Sequence, residues 1–146
     1  MLATLAPGPV MLVGQSMGGV IAMRVMAMRV TAHRPDLVRH LVPVDAGIAA
    51  LDDDLSDVDH WLRTTDTGHD PDSMVEIIRA VAAEPCGADW QSFTGPRPVV
   101  LAQRSFIDAR TATIAPRTTW YSVLESGHDV HLDRPDALAA ALTDLR

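Results

Sequence analysis

The chain has no lysine: all 12 of its cationic side chains are arginine, set against 19 aspartates and glutamates for a formal charge of -7. No stretch concentrates those arginines, and the pI is about 5.1. Phosphate binding needs a positive patch, so nucleic acid is excluded as the main partner. Cysteine is almost absent as well. Cys86 stands alone, which excludes an internal disulfide and any zinc cluster built on several cysteines. No apolar run is long enough to span a bilayer. The apolar residues at the amino terminus lack a basic stretch ahead of them, which makes a poor signal peptide. A soluble cytoplasmic protein with no membrane partner is the expectation. What remains is ordinary globular material: 146 residues, 47% hydrophobic and 21% charged, enough for one domain to bury a core without staples.

Four short β-rich apolar runs stand out: Val10 to Val13, Leu41 to Val44, Pro98 to Ala102 and Thr119 to Val123. Continuous apolar runs suit strands covered on both faces, as in parallel sheets. Pro43 removes a ladder donor, so the second strand is expected to be locally irregular. Helices are predicted over Met17 to His33, ending near Arg34-Pro35, over Asp72 to Ala83, and over Pro135 to Leu145, where Leu138, Leu142 and Leu145 fall at helical spacing. Residues 51–72 are crowded with aspartates and carry His60, Trp61 and His69. That stretch reads as a solvated, mobile excursion or a lid. The fold class is α/β, with a mostly parallel sheet of about four strands flanked by helices.

The segment Gly14-Gln15-Ser16-Met17-Gly18-Gly19 follows the first strand and opens the first helix. In a G-x-S-x-G turn the serine sits in strained backbone, and its neighbours must be tiny for the turn to close. By chance the pattern should occur in roughly 0.3% of chains this long, so a bare glycine-rich turn with a capping serine is a poor rival. The backbone N–H of Met17, heading the helix, points where an oxyanion would form. A serine hydroxyl needs a base. Among six histidines, His128 in Gly127-His128-Asp129 directly follows the fourth strand, at the sheet edge where Ser16 also emerges and where open α/β sheets bind ligands. His131 ranks below it. His33, His40, His60 and His69 read as solvent-facing. Metal ligation by His128 and His131 would lack a third ligand.

These stretches resemble the carboxyl-terminal half of an α/β-hydrolase of the esterase and C–C hydrolase type. The resemblance covers Leu12 to Arg24, Arg34 to Asp45 and Ser126 to Pro135, with the middle matching weakly where such proteins carry a variable cap. It implies a single domain over residues 1–146, with 46–97 as a short cap-like insertion. It also implies a cofactor-free serine hydrolase acting on small carboxylic esters or related acyl substrates through an acyl-enzyme. By carry-over Ser16 is the nucleophile, His128 the base and acid, Met17 an oxyanion donor, and Gly14 and Gly18 the elbow glycines. The orienting acid is expected after the third strand, where Asp108 is the one carboxylate between Gln103 and Asp108. Asp45, ending the second strand, is the alternative. Only about nine residues precede the first strand, so the amino-terminal strands and the second oxyanion loop of such a fold are expected either to be missing or to lie upstream of a misassigned start. The former favours a competing expectation, a catalytically impaired or inactive fragment serving as a binding domain. The first strand would then be a sheet edge, predicting either pairing between copies of the chain or poor behaviour as an isolated monomer.

Overall fold

A strand covered on both sides must be apolar at successive positions, and the two central strands are built that way. In the computed structural model, which describes residues 9–25, 36–47, 55–65, 68–83, 86–105 and 120–145, β2 (Val38–Val44) is buried at every position but Arg39, and β3 (Pro98–Ala102) is buried throughout. They lie between β1 (Val10–Gln15) and β4 (Trp120–Leu124) in a four-stranded, wholly parallel sheet of order β1-β2-β3-β4. Along β1 no second strand pairs among the described residues, and this edge is only partly buried.

Register between β1 and β2 steps from Val10↔Val38 to Met11↔His40, skipping Arg39. This bulge reverses the in–out phase of β2, so Val38 and Leu41 share one face while Val42 and Val44 share the other. β2 begins three residues ahead of Leu41, which places His40 inside a strand covered on both faces. The expected solvent-facing side chain is buried, and burial together with the neighbouring Arg39 charge lowers its pKa. Pro43 has the anticipated effect. Val44 O accepts from Ser16 N on the β1 side and Asp45 N donates to Val100 O on the β3 side. By strand alternation the missing Pro43 donor faces β3, where the ladder shrinks to the pair Val44↔Val100.

Each face carries its own core. Helix α1 (Met17–Val25) covers one face with Val20, Ala22 and Met23, against Leu41, Val99 and Leu101, joined by Trp90 from α4 (Gly87–Ser92). On the other face Val42, Val44, Val100 and Ala102 meet Val130 of α5 (Val130–Asp133) and Leu138 and Leu142 of α6 (Pro135–Thr143). The continuation of α1 expected toward His33 lies outside the described residues.

A third, smaller cluster belongs to the acidic stretch. It is helical where a mobile excursion was expected: α2 (Ser56–Thr64) buries Val58 and Leu62 with Leu55, and packs on Met74, Val75 and Ile78 of α3 (Pro71–Ala82). Asp57 and Asp59 in its first turn and Arg63 in its last suit the helix dipole. Asp70 caps α3, its carboxylate accepting from Ser73 N at 2.9 Å and Ser73 Oγ at 2.7 Å. No helix among the described residues is long and apolar enough to cross a membrane.

Candidate active site

The turn after β1 is closed by two glycines. A Cβ at Gly14 would stand 2.4 Å from Gly18 O, and one at Gly19 would stand 2.6 Å from Ala46 Cβ and 2.8 Å from Gly14 O. At Gly18 a Cβ would meet nothing within 4 Å. The steric demand anticipated for Gly14 and Gly18 therefore falls on Gly14 and Gly19. Between them Ser16 adopts φ 51°, a left-handed conformation costing a non-glycine residue on the order of 1–2 kcal/mol. Three backbone bonds hold it there: Ser16 N donates to Val44 O and Gly19 N to Ser16 O, both at 2.9 Å, and Val20 N donates to Ser16 O at 3.3 Å. Met17, the first helical residue, has no intrahelical acceptor for its N–H.

Asp45, one strand over, leaves the sheet through a similar bend at φ 44° and is fully buried. Its carboxylate is enclosed by donors. Oδ1 accepts from Ala102 N at 3.0 Å, and Oδ2 accepts from Ser105 Oγ at 2.5 Å and lies 2.7 Å from His128 Nδ1. A carboxylate at Nδ1 selects the tautomer protonated there, leaving Nε2 as the basic nitrogen of the ring. Of the two carboxylates weighed from the sequence, Asp45 is thus within hydrogen-bond distance of His128. Asp108 lies outside the described residues.

His128 follows β4, three strand spacings or about 14 Å from β1, so its loop must cross the ends of β2 and β3. It does. Gln15 Nε2 donates to His128 O at 3.0 Å and to Asp129 Oδ1 at 3.3 Å. Gly127 N donates to Asp133 Oδ2 at 2.7 Å, and Arg104 N to Ser126 O at 3.0 Å, pinning the loop from either side. The Trp61 ring of α2 meets the His128 imidazole edge-on, with centroids 5.1 Å apart and planes at 78°. Edge-to-face pairs of this kind contribute about 0.5–1.5 kcal/mol beyond burial, and here one covers a ring that is only 6% exposed.

His131 is exposed and lies 2.6 Å by its Nδ1 from Gln15 Oε1. His60 and His69 are exposed as read from the sequence, and His33 lies outside the described residues. No group of three His, Cys, Asp or Glu side chains suited to a metal occurs among the described residues. Sequence reasoning missed Gln15, Ser105 and the position of Trp61. Gln15 occupies a free position of the motif, Ser105 lies inside the segment searched for an acid, and Trp61 was seen without its helix.

No family model and no curated protein matches the sequence. Solved structures match the fold. An esterase from Mycobacterium tuberculosis superposes with a TM-score of 0.64 at 23% identity, over 99% of this chain and 63% of that one. A hydrolase from Pseudomonas aeruginosa PA01 gives 0.65 at 14% identity, over 98% and 66%. The thioesterase domain from the curacin biosynthetic pathway gives 0.61 at 16% identity, over 97% and 70%. The chain thus spans 63% to 70% of the length of these three structures. Parallel strands in unbroken order, a strained serine at the end of the first and a histidine returning from beyond the last make this chain a part of the α/β-hydrolase fold.

Proposed function

We propose that the protein is a serine hydrolase acting on small carboxylic esters or related acyl compounds. The observation that carries this reading is the His128–Asp45 pair, 2.7 Å apart, with the His128 loop tied to the serine turn by Gln15, the residue beside Ser16. Ser16 Oγ attacks the acyl carbonyl carbon while His128 Nε2 takes its proton. Asp45 holds the ring and balances the imidazolium. The Met17 N–H donates to the oxyanion, and the proton then passes to the departing alkoxide, leaving Ser16 acylated. Water, deprotonated by the same imidazole, cleaves the acyl-enzyme and restores the hydroxyl. The similarity in fold to an esterase and a thioesterase domain supports this choice of chemistry.

Short-chain p-nitrophenyl esters with Ser16→Ala as control test the reading, alongside labelling by a fluorophosphonate, which reacts only with an activated serine. Turnover and labelling that vanish in the variant support it. Equal rates in the two proteins would leave a binding domain as the better account. The proposal extends to assembly through the side of β1 that no strand pairs among the described residues; Val13 of β1 and Met17, Ile21 and Val25 of α1 are exposed apolar side chains. Copies of the chain pairing along it should elute as a dimer on size exclusion with light scattering, and a stable monomer in dilute solution ends that part.

A further inference from the structure

The carboxamide of Gln15 is the one side chain of the elbow that reaches the histidine loop in three places. Nε2 donates to His128 O at 3.0 Å and to Asp129 Oδ1 at 3.3 Å, while Oε1 lies 2.6 Å from His131 Nδ1. The partners are 113, 114 and 116 residues away along the chain. Both acceptors facing the nitrogen are oxygens, which fixes the orientation of the amide. Its oxygen must then accept from His131, so the Nδ1 of that ring carries a proton whether the imidazole is neutral or charged. The site is closed chemically: two donors meet two acceptors, and one acceptor meets one donor.

We propose that Gln15 is a positioning residue that clamps the His128 loop to the nucleophile turn, with His131 holding the amide in the orientation the clamp requires. Its effect on rate rests on the hydrolase reading above; its effect on the loop does not. The need for a clamp follows from topology. Ser16 follows one edge strand and His128 the other, so their separation is set by a loop that spans the strand ends. Asp45 fixes the ring nitrogen, and Gln15 fixes the backbone of the same residue. Together they determine where Nε2 stands relative to the serine. A displacement of about 1 Å between reacting groups costs up to roughly 10²-fold in rate.

Other side chains do not substitute. Glutamate at this position keeps the size and the acceptor for His131, but it turns a carboxylate toward His128 O and the Asp129 carboxylate. Asparagine at position 129 would then give that glutamate a donor, so the second change should recover part of what the first loses.

The test is amide hydrogen exchange across residues 125–134 in the full chain, paired with fluorophosphonate labelling and steady-state ester hydrolysis. In Gln15→Ala, exchange at Gly127 and Val130 should quicken by about tenfold or more, while the strands keep their protection. Labelling and kcat should fall about 10- to 100-fold with KM within about twofold. Gln15→Glu should lose at least as much, with partial rescue by Asp129→Asn. His131→Ala, a change at an exposed side chain, should loosen the same loop to a smaller degree, and it decides the matter if the Gln15 variants fail to fold. Unaltered exchange in the loop of Gln15→Ala or His131→Ala overturns the clamp. A wild-type chain that never labels, with Gln15→Ala still loosening the loop, overturns the hydrolase reading and leaves the clamp standing.

Discussion

The rim of the sheet and the α2–α3 helix pair are held together by different means. At the rim Asp45, Ser126 and His128 are buried, and each side chain has a hydrogen-bond partner in the backbone or in another strand's loop. Helices α2 and α3 share a small apolar cluster, and the ionic tie between them is exposed: Arg63 of α2 lies 2.5 Å from Asp72 of α3. Exposed pairs contribute little to stability, whereas a buried pair deprived of one partner is costly. Losing one partner is therefore expected to cost more at the rim than in the α2–α3 pair. The two regions meet through Trp61 on His128.

The sharpest way to expose that difference is Asp45→Asn. It keeps the volume but favours the wrong tautomer of His128, and by analogy with other triads kcat should fall about 10⁴-fold. Ester turnover measures it, with circular dichroism to establish that the sheet persists. Next comes a contrast within one motif. Gly19→Ala forces a methyl against Ala46 and Gly14 O and should destabilise by about 1–3 kcal/mol. Gly18→Ala, inside α1 with open space around it, should stabilise by about 0.5–1 kcal/mol. Chemical denaturation separates the two. Helix α2 is predicted to be softer: Trp61→Ala should cost about tenfold in kcat/KM and lower the melting temperature by only a few degrees, where loss of the whole fold would make α2 part of the sheet's core.

Acid gives the mildest test. The carboxyl of Asp70 is held below the ordinary aspartate range by the hydrogen bonds from Ser73, so its stabilisation of α3 is present above about pH 4 and lost as pH falls through the lowered value. His40 in the sheet acts earlier. Its lowered pKa means the folded state resists protonation, so stability is complete above about pH 6.5 and declines below it as the unfolded chain takes up the proton. His40→Gln should flatten the melting temperature between pH 7 and pH 5, and the wild-type slope persisting in the variant would assign the effect elsewhere.

Local chemistry was the legible part of this sequence. The third strand was read to the residue, because five apolar residues between prolines and polar residues admit little else. Ser16 and its turn were equally plain, since strand, glycines and helix are contiguous. Relations across the chain were harder. The proximity of Asp45 to His128 depends on a loop crossing the end of β3, and nothing in the spacing of 83 residues encodes it. His40 was misread because the strand was taken to begin at Leu41, whereas β2 begins at Val38 and is covered on both faces. Helix α2 escaped because Leu55, Val58 and Leu62, spaced three and four apart, are interleaved with Asp57, Asp59 and His60 in a stretch dominated by aspartates.

Pro43 has a mechanical consequence. With its donor gone, the two halves of the sheet are riveted by a single register pair, Val44↔Val100, while β1–β2 and β3–β4 are zipped along their lengths. Ser16 and Asp45 ride one ribbon; Ser105 and His128 ride the other. The bonds from Asp45 to Ala102, Ser105 and His128, and from Gln15 to the His128 loop, all stitch across that seam. Groups of the candidate site are thus also fasteners of that joint, so loosening it would disassemble the site before either ribbon frays.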